Sequence, residues 1–260
     1  MKARLTLILA ATLLLTGCGN GNEKPAATPD TGKAGISGKV IVFAAASLTE
    51  TFGQIGKDFE AANPGTSVTF NFAGSSALAA QINQGAPADV FASAAPANMK
   101  TVTDKGNADG DPATFVKNQL VIAVPKGNPK GIKSLADLTK PGVKVALCAA
   151  QVPCGAAASK ALTAANVKLT PVTLEQDVKS ALSKVTLGSV DAALVYRTDA
   201  HSDAKDVDGV EFPESAGAIN QYPIVVLKDS ANKPAAQAFV AYVLSDKGMA
   251  VLTEAGFQSP

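Results

Sequence analysis

The chain has 260 residues, 47% hydrophobic and 17% charged, with a formal net charge of +1. That is enough for one large or two modest domains and excludes global disorder, while the scattered charges leave no basic stripe for nucleic acid and no polybasic membrane patch. Aromatic residues at 5% without tryptophan argue against a carbohydrate-stacking platform, and a single histidine (His201) with three cysteines excludes catalysis by paired histidines and a His-rich metal site.

Lys2 and Arg4 precede an apolar run from Leu5 to Leu15. Such a run is a short secretory core, well below the roughly 20 apolar residues of a membrane-spanning helix. It ends Leu15-Thr16-Gly17-Cys18, which resembles the lipobox of bacterial lipoproteins, where small residues precede a cysteine that is acylated and becomes the mature N-terminus. Residues 1–17 are therefore expected to be a signal peptide. Gly19 to Gly35 is rich in Gly, Pro, Ala, Asn and Asp without apolar period, so 18–36 is expected to be a lipidated flexible tether. The resulting expectation is an extracytoplasmic protein anchored to the cell membrane through Cys18, folded from about Ser37.

From Val40 to Ala44 the chain is continuously apolar, as in a strand buried on both faces. Ser47-Leu48-Thr49-Glu50 has the spacing of a capping box and opens a helix with Leu48, Phe52, Ile55 and Phe59 on one face. Asn63-Pro64-Gly65 ends it. Val68, Phe70 and Phe72 alternate in the next strand, Gly74-Ser75-Ser76 leads into a helix containing Leu78 and Ile82, and Asp89–Ala92 is a short strand. Gln119 to Val124 reads as a strand, Ser134 to Leu138 as a short helix, and Val143 to Leu147 as a strand. Pro153-Cys154-Gly155 opens an alanine-rich helix, and Asp177 caps one whose apolar face is Val178, Ala181, Leu182 and Val185. Ala192–Tyr196 and Pro223–Leu227 are buried strands, and two helices close the chain, the first with Pro234 near its start.

Alternating strands and helices define an α/β protein with mostly parallel sheets flanked by helices, in which ligands bind beyond the carboxyl ends of strands. The informative positions are then the turns at Ser47, Ser75, Cys154 and Val178 and the strand end at Tyr196. Each of the four turns offers unpaired helix N-terminal amides, which hold anions without a lysine. These turns contain no Lys or Arg, and Asp177 is occupied as a cap. Neutral donors suit a fully ionised anion, whereas one that keeps a proton also wants an acceptor. Spacing alone does not establish that the turns converge: a serine before a helix is commonly only a cap, and Tyr196 can be a core residue.

A resemblance carries the reading further. Ala44-Ala45-Ala46-Ser47-Leu48-Thr49, Gly74-Ser75-Ser76-Ala77-Leu78-Ala79 and Gly85-Ala86-Pro87-Ala88-Asp89-Val90-Phe91 resemble, in order, the molybdate-binding proteins of ABC importers. So do Val152-Pro153-Cys154-Gly155, Asp177-Val178-Lys179-Ser180-Ala181-Leu182 and Leu194-Val195-Tyr196. The resemblance spans about Val40 to Phe257. It implies a two-lobed, type II Venus-flytrap periplasmic binding protein with the ligand in the interlobe cleft: lobe 1 from 37–116 plus 222–260, lobe 2 from 117–221. It also implies capture of molybdate or tungstate for an importer permease, with no enzymatic activity or cofactor, molybdenum being present only as the bound oxyanion. Carried over by position, Ser47 and Ser75 supply hydroxyl and amide donors, Cys154 and Val178 backbone amides, and Tyr196 its phenol. Ala46 and Gly74 let the backbone approach the oxygens. Monomer is the default expectation.

Where Cys154 stands, that family often has a small residue such as alanine. Cys148 lies just upstream and the exported context is oxidising, so the pair reads as a disulfide bracing the binding loop, the alternative being two buried free thiols. Among rival functions, sulfate and then phosphate are the competing ligands, phosphate being disfavoured by the lack of a free acidic residue in the turns. An esterase using Ser47 or Ser75 lacks a G-x-S-x-G elbow and would need His201, which sits in the polar segment 199–203, read as exposed loop. Cys148 and Cys154 are not a C-x-x-C redox pair, and a sensor lipoprotein is not separable from a transport protein.

Overall fold

The computed structural model describes residues 36–260, so the expected signal peptide, Cys18 and all but the last residue of the tether lie outside the described residues. In the first half, β1 (Gly38–Ala45), α1 (Thr49–Ala62), β2 (Thr66–Ala73), α2 (Ser75–Asn83), β3 (Val90–Ala92), α3 (Pro96–Thr103) and β4 (Ala113–Asn118) follow in order. Next come β5 (Leu120–Pro125), β6 (Val145–Cys148), α4 (Pro153–Ala164), β7 (Thr173–Glu175), α5 (Val178–Thr186), β8 (Ala192–Tyr196), α6 (Arg197–Ser202) and β9 (Val207–Val210). The chain ends in β10 (Asn220–Val226), α7 (Lys233–Leu244) and α8 (Asp246–Glu254). Short 3-10 turns occupy Ala46–Leu48, Ala136–Thr139 and Pro213–Ala218.

These strands make two five-stranded sheets, β2-β1-β3-β10-β4 and β7-β6-β8-β5-β9, one per lobe. Both sheets are mixed, four strands of each running the same way and one, β10 or β5, running against them, as the expectation of mostly parallel sheets allows. In each, the second strand has parallel neighbours on both sides, β1 with β2 and β3, β6 with β7 and β8. The strands nearest the interlobe crossings, β4, β5 and β10, pair antiparallel. The reason is topological. A strand arriving directly from the other lobe has no crossover helix to turn it parallel. Gln119 alone separates β4 from β5, so one residue carries the first crossing.

Each sheet buries apolar side chains on both faces, as the continuous runs at Val40–Ala44 and Ala192–Tyr196 require. On one face of the first sheet, α1 and α7 pack an aromatic cluster: Phe52 lies 5.9 Å from Phe115 and 6.1 Å from Phe239, and Phe59 lies 5.4 Å from Phe239. Each fully buried ring contributes about 1.5–3 kcal/mol. These cores hold the sheets as rigid platforms, so strand ends and helix starts are placed firmly at the cleft.

Two local expectations are corrected. Ser47 is no cap: it sits inside the 3-10 turn, and neither that turn nor α1 has a side-chain cap. The segment 199–203 is not an exposed loop. It lies largely in α6, and Asp199 is fully buried. Helices α3 and α6 and strands β4, β7 and β9 were not marked by periodicity. β7 and β9 are too short, at three and four residues, to show alternation.

Candidate functional site

Each of the singled-out turns ends a strand and starts a helix at the same place. The 3-10 turn after β1 presents Ser47, α2 begins at Ser75, α4 carries Cys154 in its first turn, α5 begins at Val178, and β8 ends at Tyr196. All five line one cavity between the lobes, together with Ala45, Ala46, Gly74, Ala94, Val152, Pro153 and Asp177. Its volume is about 10 Å³, the scale of one water or one small ion rather than an organic ligand. Depressions of about 470 and 480 Å³ exist elsewhere, beside α3 and α7, but each is lined from one lobe. Convergence, not size, picks out the site.

The electrostatics of the cavity come from dipoles. No Lys or Arg lines it. The first amides of α2, α4 and α5 have no intrahelical carbonyl to bond, and each helix end carries about half a positive charge. Asp177 is engaged elsewhere: Oδ1 accepts from the Ser180 amide at 2.8 Å and Oδ2 from Ser180 Oγ at 2.8 Å. Burial pushes the Tyr196 phenol well above its usual range, with Tyr222 and Asp199 adding to the shift, so it stays protonated as a donor.

Cys154 is joined to Cys148, at the end of β6, by a disulfide with Cα atoms 5.7 Å apart. The bridge ties the first turn of α4 to the strand that aims it. Gly155 beside it admits no side chain, because a Cβ there would meet the carbonyl of Ala149 at 2.0 Å.

The lobes touch closely around the cavity. Gly74 was expected to make room for ligand oxygens, but a Cβ there would meet the Gln176 carbonyl of the other lobe at 2.2 Å. Its missing side chain is what lets the lobes meet. One residue along from Val178, Lys179 of the second lobe reaches Glu50 of the first at 2.9 Å and buried Asp199 at 3.3 Å. Asp199 Oδ2 also accepts from the Tyr196 amide at 3.1 Å, whereas Oδ1 has no well-aligned hydrogen bond. Burial raises the Asp199 pKa to about 6, against the opposing pull of Lys179. Burial lowers Lys179, but Asp199 and Glu50 outweigh it and the net shift is upward, so the lysine is charged.

Behind the cavity lies a layer that sequence reasoning missed. Ser47 Oγ meets Tyr222 Oη at 2.9 Å, Ser75 Oγ accepts from the Ala94 amide at 2.9 Å, and Tyr196 Oη accepts from Asn220 Nδ2 at 2.9 Å. The only local signal was the polar pair Asn220-Gln221 beside a tyrosine, at the return from the second sheet to the first. His201, the base that an esterase would need, is exposed on α6 and does not line the cavity.

Two lobes closing on a small cavity of inward-facing helix starts define a solute-binding protein of the Venus-flytrap kind. The chain belongs to the bacterial extracellular solute-binding proteins, whose family model matches residues 40–258. It is 46% identical to the molybdate-binding protein ModA of Mycobacterium tuberculosis over 253 residues, covering 97% of each chain. The substrate-binding domain of a putative molybdenum ABC transporter from Clostridium difficile is 31% identical, with a TM-score of 0.65, covering 86% of this chain and 100% of that one. The periplasmic molybdate-binding protein of Azotobacter vinelandii shares the fold at 23% identity, with a TM-score of 0.71 over 85% of this chain and 99% of that one.

Proposed function

We propose that this protein binds molybdate, and tungstate with it, outside the cytoplasm and delivers the oxyanion to the permease of an ABC importer. The observation that carries this reading is the meeting of Ser47, Ser75, Cys154, Val178 and Tyr196, from both lobes, on one cavity of about 10 Å³ without a cation. The relatives named for molybdate support the choice of ligand. In this reading the hydroxyls of Ser47, Ser75 and Tyr196 and the amides of Ser47, Ser75, Cys154 and Val178 donate to the four oxygens. About seven hydrogen bonds to a charged group, at roughly 1.5–3 kcal/mol each, cover the about 12 kcal/mol of nanomolar binding less the cost of closure. Molybdenum enters only inside the oxyanion, no cofactor takes part, and no bond in the ligand is broken.

Selection against sulfate is then geometric, the larger anion filling a cage in which sulfate makes looser contacts. The moving bodies are the two lobes, 37–116 with 222–260 and 117–221, with each border moved by two residues so that β4 and β10 stay whole in the first. Lipidated Cys18 and the tether hold a monomer at the membrane beside its permease, with no role for nucleic acid. Calorimetric titration of the purified protein with molybdate, tungstate, sulfate and phosphate tests the reading. Tight one-to-one binding of the first two with weak sulfate is expected. Preference for sulfate, or no binding by any of the four, contradicts it.

A further inference from the structure

A hydroxyl carries one proton, so whatever donates to its oxygen from behind decides that its own proton points forward. Ser75 Oγ accepts from the Ala94 amide at 2.9 Å, and a backbone N–H can only donate. Tyr196 Oη accepts from Asn220 Nδ2 at 2.9 Å. The orientation of the Asn220 carboxamide is itself settled, because the same nitrogen donates at 2.7 Å to the carbonyl of Ala94, which can only accept. That leaves Ser47, whose Oγ lies 2.9 Å from Tyr222 Oη, with either atom able to donate. Tyr222 is fully buried, and burial raises its phenol far above the usual range, so its proton is always present. Ser47 Oγ is its one hydrogen-bond partner among the described residues, and a buried hydroxyl needs an acceptor for its proton, so Tyr222 gives its proton to Ser47.

Resting on the oxyanion reading above, we propose that Tyr222 is a positioning residue that donates to Ser47 Oγ and, with Asn220 and the Ala94 amide, makes every hydroxyl facing the cavity an obligate donor. Neither Tyr222 nor Asn220 lines the cavity. They act through Ser47 and Tyr196. The consequence is selectivity by protonation state. A fully ionised oxyanion accepts from all three hydroxyls, whereas an anion that keeps a proton, such as hydrogen phosphate, finds no acceptor for it.

The test is calorimetric titration of wild type, Tyr222→Phe, Ser47→Ala and the double variant with molybdate and with phosphate, beside the thermal midpoint of each. Tyr222→Phe is expected to weaken molybdate about tenfold and to narrow the gap between molybdate and phosphate, because Ser47 is then free to turn and accept. In the double variant the loss is expected to equal that of Ser47→Ala alone. Independent, multiplying losses, or an unchanged molybdate affinity in Tyr222→Phe, overturn the proposal. Should Tyr222→Phe fail to fold, Asn220→Ser with Tyr196→Phe makes the same comparison at the second hydroxyl, with the same non-additivity expected and additivity again overturning it. Wild-type protein that binds molybdate while the variants behave additively defeats this inference alone. Wild-type protein that binds no oxyanion defeats the functional reading with it.

Discussion

Inside the cavity, Ser47, Ser75 and Tyr196 meet the ligand space as neutral hydroxyls among helix starts, without a cation. Immediately beside it, Lys179 spans the lobes between half-exposed Glu50 and buried Asp199. The first region recognises charge with fixed dipoles, which need no counter-ion and are little disturbed by salt. The second ties the lobes through the partly exposed Lys179–Glu50 pair, which salt weakens, backed by buried Asp199, which responds to pH. Recognition and closure are therefore separable in this molecule, and substitutions in the two regions should leave different signatures.

The largest effect is expected at the contact that permits closure. Gly74 has a φ of −59°, which alanine adopts freely, yet its Cβ would meet the Gln176 carbonyl at 2.2 Å. Gly74→Ala should lower anion affinity roughly 10- to 100-fold, as overpacking of about 1–3 kcal/mol implies. The thermal midpoint of the ligand-free protein should barely move. An equal loss of midpoint would place the clash in the lobe rather than in closure.

Opening the Cys148–Cys154 bridge should lower unfolding stability by about 2 kcal/mol, from the chain entropy of so short a loop. Reduced wild type should also bind the anion poorly, because a free thiol at the start of α4 tends to ionise and repel it. The Cys148→Ala, Cys154→Ala double variant, lacking the thiol, should lose stability but keep affinity. Equal affinity in reduced and oxidised wild type would break this distinction.

Asp199 gives a pH signature to the ionic region. Its folded pKa of about 6 stands above the ordinary 3.8, so the folded state holds the proton more tightly. The stability from this group is then fully present below the unfolded value and lost as pH rises through 6. Denaturant unfolding of wild type and Asp199→Asn should diverge by about 2 kcal/mol between pH 8 and pH 4.5, wild type gaining on acidification. Parallel pH profiles would contradict the assignment. The smallest effect belongs to Glu50→Gln, whose side chain is 53% exposed. A loss of affinity of a few fold at most is expected, vanishing at high salt.

How much of this was legible beforehand follows distance along the chain. The turns at Ser75, Cys154 and Val178 were readable because a strand end followed by a helix start is a local pattern. Asp177 capped α5 as its position implied. Ser47 was misread as a cap because its partner, Tyr222, lies 175 residues away. Asp199 passed for part of a solvated loop because local composition is polar there, and only Lys179, from another helix, shows that the segment is packed. The second reason for glycine at position 74 was not legible, because the Gln176 carbonyl that needs the space belongs to the other lobe. Contacts between residues distant in the chain leave no periodicity in a sequence, and in this protein they carry closure between the lobes and, within the first lobe, the orientation of the Ser47 and Ser75 hydroxyls.

The central claim, that neutral donors hold a fully ionised oxyanion, is tested most directly by counting protons. Molybdate titrations between pH 7.5 and 8.5, in buffers of different ionisation enthalpy, report protons taken up or released on binding. The expected result is one anion bound with no net proton exchange and an affinity independent of pH across that range. Uptake of a proton per anion would mean that a protonated ligand or a titrating side chain completes the site, and would contradict the account.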